Sequence, residues 1–365
     1  MVKWVVITGD VSTQVVIIGA GQAGLSVAYY LRRFDLTPGV DFIIYDRGPL
    51  SGGAWQFRWD ALRLGSAHRV NDLPGMAELG LSFSTANREL PARDIVAGYY
   101  RRYEEHFGLE VQRPVNVRSV VNSGADLAVM REDSTGGGQT LTRLLVNATG
   151  TWGAPFIPFY PGAPTFLGRH IHTSGYGSAQ ELEGKSVVVV GGGTSAIGFL
   201  LELEGVARQL TWVTRRPVEF SDPEYSAEGG VAAVEAQEAA ARAGLPLPSI
   251  VSGTTVPLTR RNAAAIERGL LVARPMFTRI EENGVRFEDG SFAEADAIIW
   301  ATGFRSELRH LSPLKLREVT GGVQVESGAV WQDPRIFLAG YGPYASTIGA
   351  NRSGRVIARQ VMAAL

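Results

Sequence analysis

The sequence predicts an α/β fold made of two similar halves, and three observations carry that expectation. Two continuous apolar runs enter glycine turns, VVIIGAGQAG at residues 15–24 and VVVVGGGTSA at 187–196. Four β-branched residues in a row, without alternation, read as strands buried on both faces, as in parallel sheets. Each run is closed further along by a β-rich segment stopping at Ala-Thr-Gly: LLVNATG ends at Gly150 and AIIWATG at Gly303. At 365 residues the chain is also too long for one ordinary core. The repeat divides it in two.

Taken in order, the first run leads into a helix containing AGLSVAYYLRRF, and the next strand, FIIYD, ends at Asp46. The segment LPARDIVAGYYRRYEEHFGLEV predicts a helix from near Pro91 to a stop at Gly108. A β-meander comes next, with strands near 116–121, 127–131 and 140–147 and DSTGGG as the hairpin loop. Pro155, Pro158, Pro161 and Pro164 mark a linker into the second half. Within that half, residues 226–244 predict an Ala/Glu-rich helix ended by Gly244, either a lid or a packing element. After residue 304 come a strand, RIFLAG, and a helix from about Gly349 to the end. Returning this tail to the first half gives a discontinuous first domain, 1–155 with 306–365, and an inserted second domain, 156–305.

The composition narrows the function classes. Hydrophobic residues make up 45% and charged residues 19%, a globular balance rather than a disordered one. Net charge is −1 with Lys and Arg scattered, so no footprint for nucleic acid or an anionic membrane is visible. No apolar run reaches membrane-spanning length. The opening MVKWVVITGD is cut off by Asp10 before it could form a secretory core, which makes the cytoplasm the expected location. Cysteine is absent, which excludes disulfides, thiolate metal sites and a cysteine nucleophile. His170 and His172 share a strand face, yet none of the other three histidines is near them in sequence, and no metal is expected.

Gly19, Gly21 and Gly24 form G-x-G-x-x-G between a strand and a helix, with Gln22 and Ala23 inside the turn. Such a loop lets backbone N–H groups reach a diphosphate and brings the helix against the sheet, the dinucleotide-binding pattern of a Rossmann-like domain. Asp46, at the next strand end, can accept ribose hydroxyls, with Arg47 beside it. The second loop has Gly191, Gly193 and Ala196 with Thr194 and Ser195, and no acid at its next strand end. Arg215 and Arg216 stand there instead, suited to a 2′-phosphate and hence to NADPH. Two nucleotide sites in one chain imply one resident and one diffusing nucleotide, most economically FAD and NADPH. Hydride would pass from NADPH to the flavin, and without cysteines no dithiol relay can carry the electrons onward.

With these features the chain resembles the flavin-containing monooxygenases, the class B flavoprotein monooxygenases, over essentially its whole length. The residues that carry the resemblance are the two fingerprints, GGAW (Gly52, Gly53, Ala54, Trp55), NATGTW (147–152, with Ala148, Thr149 and Gly150), and ATGF (Ala301, Thr302, Gly303, Phe304). Above all it rests on F-x-G-x-x-x-H-x-x-x-Y at Phe166, Gly168, His172 and Tyr176. The resemblance implies that this motif links an FAD unit to an NADP unit, with Phe166 a packing anchor, Gly168 a backbone requirement, and His172 and Tyr176 polar tethers. It implies a C4a-hydroperoxyflavin formed with molecular oxygen and an oxygen atom passed to a small-molecule substrate. Tyr176 in the last place resembles the branch that oxygenates nitrogen or sulfur rather than the Baeyer-Villiger branch.

Two departures from the family pattern stand out. Where relatives place a polar side chain toward the flavin, Gly65 falls, leaving Ser66, His68 or Asn71 as substitutes. Where many two-dinucleotide flavoproteins have Gly-Asp near the C-terminus, this chain has Gly340 and Tyr341. The chain is shorter than many relatives, which leaves open a homo-oligomer in which a second copy completes the pocket. Two rival readings keep the nucleotides: a reductase that passes electrons to a quinone, a protein carrier or oxygen, and a redox sensor without turnover.

Overall fold

The computed structural model describes residues 11–67, 70–221, 223–248, 255–345 and 347–365. They form two compact units, Met1–Gly153 with Ala236–Leu247 and Ser306–Leu365, and Ala154–Glu235 with Pro248–Arg305.

The first unit begins with β1 (Val11–Ile18), α1 (Gln22–Arg33), β2 (Phe42–Tyr45) and α2 (Ala92–His106), then β3 (Asn116–Ser123), β4 (Asp126–Asp133) and β5 (Gly136–Asn147). The second contains β6 (Arg169–His172), β7 (Ser186–Val190), α3 (Thr194–Leu203), β8 (Gln209–Thr214) and β9 (Phe220–Ser221). α4 (Pro223–Arg242) comes next, its last turns counted with the first unit. The second unit resumes with β10 (Val256–Pro257), α5 (Arg260–Glu267) and β11 (Arg274–Pro275). A three-stranded ribbon, β12 (Arg279–Glu281), β13 (Gly284–Arg286) and β14 (Phe292–Glu294), leads to β15 (Ala297–Trp300). The tail returns to the first unit with β16 (Val325–Glu326), β17 (Ala329–Val330), β18 (Ile336–Leu338) and α6 (Thr347–Ala364).

In the first unit β1 pairs in parallel with β2 and β5, so that Ile18 lies opposite both Tyr45 and Asn147. Three strands thus end level where Gly19 begins. Val15 and Ile17 face a core shared with α1, α2 and α6, while Val16 and Ile18 face a second core on the other side. Both faces are covered, which is why the strand shows no polar alternation. Ala241 and Leu247 pack into that second core, which ties Ala236–Leu247 to this unit. β5 is long enough to serve two neighbours, pairing with β4 through residues 136–142 and with β18 through 145–147.

The hairpin differs from the expected glycine loop. Asp133 Oδ1 accepts from the Thr135 N–H at 2.7 Å and from its hydroxyl at 2.6 Å, closing the turn over Ser134 and Thr135. Gly136, Gly137 and Gly138 therefore open β5 instead of forming the loop. α6 begins at Thr347, two residues before Gly349.

The second unit is built on a parallel sheet in the order β11-β8-β7-β15-β6. β6, which carries His172, is an edge strand of that sheet, with His172 opposite Trp300. Its core joins Val188, Val190, Val213, Ile298 and Trp300 to Phe166, Phe277 and Phe287.

Candidate active site

The two glycine loops are constructed alike. Gly19 has φ +104° and Gly191 φ +141°, and a Cβ on either would collide with the carbonyl of an alanine, Ala148 or Ala301. Each Ala-Thr-Gly thus forms the wall against which its own fingerprint turns, and only glycine fits there. Gly19 N–H donates to Tyr45 O at 2.7 Å and Gly191 N–H to Val213 O at 2.9 Å, so each loop is also tied to the adjacent strand end.

Each loop runs into a helix whose first turn carries no acid. Gly21 and Gly193 are the N-caps of α1 and α3, neither supplies a capping side chain, and neither helix has an acid in its first turn. Such an end concentrates unpaired N–H groups and partial positive charge, the arrangement that accepts a phosphate. Space is kept for it at Gly21, where an added Cβ would find nothing nearer than the Gly53 Cα at 3.8 Å. Gln22 closes one side by donating to Asn71 O at 2.8 Å and to Asn351 Oδ1 at 3.1 Å, while its side-chain carbonyl accepts from Tyr100 Oη at 2.9 Å. Ser26 also donates to Asn351 Oδ1, at 2.8 Å, and Asn351 in turn donates to Asp72 O. Ala23 packs near Gly340, whose added Cβ would sit 3.3 Å from the Ala23 Cβ.

Asp46 is buried, and its carboxylate pins the loop. Oδ2 accepts from Ala20 N–H at 2.6 Å and Oδ1 from Gly48 N–H at 2.7 Å, leaving lone pairs for ribose hydroxyls. Arg47 turns toward Glu307, 3.7 Å away, and lies beside Gly153. Thr149 donates from Oγ1 to Glu307 O at 2.7 Å, and Gly150 O accepts from Glu307 N–H at 2.9 Å. Gly53 opens a 3-10 turn, Gly53–Phe57, that carries the buried Trp55. These residues fit an FAD diphosphate and ribose: an empty approach, unpaired amides and a held carboxylate.

In the second unit Arg215 and Arg216 come directly after β8 and are exposed, and neither makes an ion pair among the described residues. Two exposed cations at this strand end fit the 2′-phosphate of NADPH. Ala196 is buried in the first turn of α3, beside Thr194 and Ser195.

The linker motif is anchored within the same unit. Phe166 lies in the core, and a Cβ on Gly168 would come within 2.8 Å of the Asp296 carbonyl carbon. Ser174 N–H donates to His172 Nδ1 at 3.2 Å, which leaves the proton on Nε2 to be donated to Gly303 O at 2.9 Å. Burial lowers the His172 pKa, and the neutral ring serves as a strut under the second Ala-Thr-Gly. Thr302 donates to Phe156 O, holding the same turn from its other side. Tyr176 is buried against Phe199 and donates to Glu202 at 3.0 Å; burial, with the Glu202 charge acting in the same direction, pushes its pKa far up.

Of the alternatives expected beside Gly65, two lie within the described residues. Ser66 is exposed and donates to Arg63 O at 3.1 Å, Asn71 accepts from Gln22 at the α1 start, and His68 lies outside the described residues. Three contributors carry no motif: Asn351, Tyr100 and His310. His310 donates from Nε2 to Asn147 Oδ1 at 2.7 Å, and burial lowers its pKa to about 4, with the Arg47 charge acting in the same direction. It bolts the first Ala-Thr-Gly from below.

Two like-built glycine loops, one beside a buried carboxylate and one beside two exposed arginines, mark a flavoprotein that uses a pyridine nucleotide. The family of pyridine nucleotide-disulphide oxidoreductases matches residues 16–234. Among curated proteins the chain is 31% identical over 338 residues to indole-3-pyruvate monooxygenase YUCCA4 of Oryza sativa subsp. japonica, covering 80% of this chain and 74% of that one. Among solved structures it is similar to the flavin-containing monooxygenase of Stenotrophomonas maltophilia, with 32% identity, TM-score 0.77, and coverage of 97% and 99%. A mutant of that enzyme gives 33% identity and TM-score 0.79 with the same coverage. The chain belongs to the flavin-containing monooxygenases, within the pyridine nucleotide-disulphide oxidoreductase group. It is an oxidoreductase that uses FAD and NADPH, and its sequence contains no cysteine pair of the kind that could relay electrons as a dithiol. Among the described residues no helix is long and apolar enough to cross a membrane.

Proposed function

We propose that the protein is an NADPH-dependent monooxygenase that delivers one oxygen atom to a nitrogen or sulfur of a small organic substrate. The other oxygen atom leaves as water, with two electrons supplied by NADPH. The observation that carries the reading is the pair of like-built loops in a chain that has no cysteine to take the electrons elsewhere.

In this reading the unit containing Gly19–Gly24 and Asp46 holds FAD, and the unit containing Gly191–Ala196 holds NADPH, with Arg215 and Arg216 pairing its 2′-phosphate. When bound, the flavin accepts hydride and activates oxygen. The protein's part is binding, orientation and exclusion of water. His172 contributes by fixing the Gly303 carbonyl rather than by moving a proton, since both its ring nitrogens are already engaged. Tyr176, where the Baeyer-Villiger branch has tryptophan, supports nitrogen or sulfur as the acceptor.

The test is stopped-flow absorbance on the purified yellow protein, reduced anaerobically by NADPH or NADH and mixed with oxygenated buffer. Fast reduction by NADPH, then a persistent band belonging to neither reduced nor oxidised flavin, supports the proposal. Direct return to oxidised flavin with stoichiometric hydrogen peroxide, under conditions that retain NADP⁺, overturns it.

A further inference from the structure

Arg58 lies just beyond the 3-10 turn Gly53–Phe57, and its guanidinium is surrounded by aromatic rings rather than acids. Its Cζ is 4.2 Å from the Trp152 ring centroid and 5.4 Å from that of Trp55. Its Nε is buried and has no hydrogen-bond partner. Among the described residues it makes no ion pair, whereas two other arginines sunk into this unit do: Arg113 with Glu104 and Arg131 with Asp133. Burial alone lowers its pKa to about 10, so it remains a cation at neutral pH. The residue as a whole is only partly buried, and a cation with no acid beside it keeps its outer N–H groups available to an anion from outside the chain.

Its surroundings locate that anion. A Cβ on Gly53 would come 2.7 Å from the Gly21 Cα, so the turn that leads to Arg58 presses on the dinucleotide loop. Trp152 lies just past the first Ala-Thr-Gly, at the carboxyl end of β5. Ligands of open α/β sheets bind beyond such strand ends. With indoles beside it, the guanidinium is held as a flat fork, which matches a two-oxygen anion. The FAD diphosphate already has the amides at the start of α1.

We propose that Arg58 binds the carboxylate of the organic substrate, which makes the substrate class a small carboxylic acid bearing the nitrogen or sulfur to be oxygenated. The proposal rests on the monooxygenase reading above for the word substrate, and on binding alone for its test.

The experiment uses the FAD-loaded protein and its Arg58→Gln and Arg58→Lys variants. Two probes, 3-(methylthio)propionate and its methyl ester, are titrated while flavin absorbance and tryptophan fluorescence are followed. FAD affinity is measured separately on the deflavinated proteins. The expected result is wild-type preference for the acid over the ester, loss of acid binding by tenfold or more in Arg58→Gln, partial retention in Arg58→Lys, and FAD affinity within twofold of wild type. A wild type that does not prefer the acid, or an Arg58→Gln that weakens acid and ester alike, overturns the proposal. If FAD affinity falls tenfold while acid binding to reloaded protein is unchanged, the anion is the cofactor's diphosphate and the carboxylate assignment fails. Acid-selective binding in a protein that only makes hydrogen peroxide would leave this site standing and sink the monooxygenase reading instead.

Discussion

Gly21 and Gly24 lie three residues apart in one loop, yet alanine should harm them in different ways. At Gly21 φ is −84° and ψ −167°, an extended conformation that any residue adopts, and the nearest atom to an added Cβ is 3.8 Å away. The fold does not need a glycine there. Gly→Ala at a compatible position favours the folded state by about 0.4–1 kcal/mol, through the unfolded chain. Alanine is a poorer N-cap than glycine by roughly a similar amount, so apoprotein stability should move by less than about 1 kcal/mol. At Gly24 the added Cβ would overlap the Gly19 carbonyl oxygen and lie 3.0 Å from its carbon and 3.3 Å from the Ala148 Cβ. Backbone cannot step aside as a side chain can, so α1 must lift from the loop, an overpacking cost of about 1–3 kcal/mol. If the room at Gly21 is kept for the diphosphate, Gly21→Ala should be as stable as wild type yet bind FAD about tenfold or more weakly, a loss of ~1.4 kcal/mol. Urea unfolding of both deflavinated variants, then FAD titration read by fluorescence quenching, separates the two effects. A Gly21→Ala protein that unfolds as early as Gly24→Ala, or that binds FAD as wild type does, would refute the reasoning.

His310 is neutral in the fold, and its folded pKa of about 4 lies below the ordinary 6.5, so protonation favours the unfolded chain. Its contribution is present above about pH 6.5 and drains away as pH falls toward 4; linkage puts the loss between pH 7 and 5 at about 2 kcal/mol. His310→Gln should flatten the unfolding profile over that window, and an unchanged slope would reject the assignment. Replacing Arg215 and Arg216 together by Gln should raise the Michaelis constant for NADPH about tenfold, given the strength of charge-assisted phosphate bonds, and leave that for NADH unchanged; equal effects on both nucleotides would count against the 2′-phosphate role. Arg113→Met strands the buried Glu104, which Arg113 holds through contacts of 2.6 and 2.9 Å. That should cost about 3 kcal/mol in thermal unfolding, with much of it recovered when Glu104→Met is added. A single variant as stable as wild type would show the pair to be dispensable.

The parts of this protein that sequence reasoning reached are those encoded by neighbours along the chain. Gly19 and Gly191 announce their turns because strand, turn and helix are contiguous, and the Ala-Thr-Gly repeats are legible for the same reason. Where side-chain chemistry overrode composition, the reading slipped: Gly136, Gly137 and Gly138 look like a loop, but the Asp133 carboxylate closes the turn before them. The site's polar joints were invisible. Asn351 meets Gln22 across 329 positions and His310 meets Asn147 across 163, and nothing in the local pattern of either half announces the partner. Arg58 was missed for a different reason, since its distinguishing property is the lack of an acid, and only coordinates reveal a missing neighbour.

The two cradles also differ in when a ribosome can finish them. The second needs nothing beyond Gly303, because β15 is the last strand of its sheet. The first waits for β18 to pair with β5 at Leu145–Asn147 and for Asn351 to reach Gln22 and Ser26. The fingerprint at Gly19–Gly24 is thus completed by Asn351, 329 positions after Gln22. Flavin capture then has to wait until these distant residues have been made, and chains stalled before residue 336 should emerge colourless.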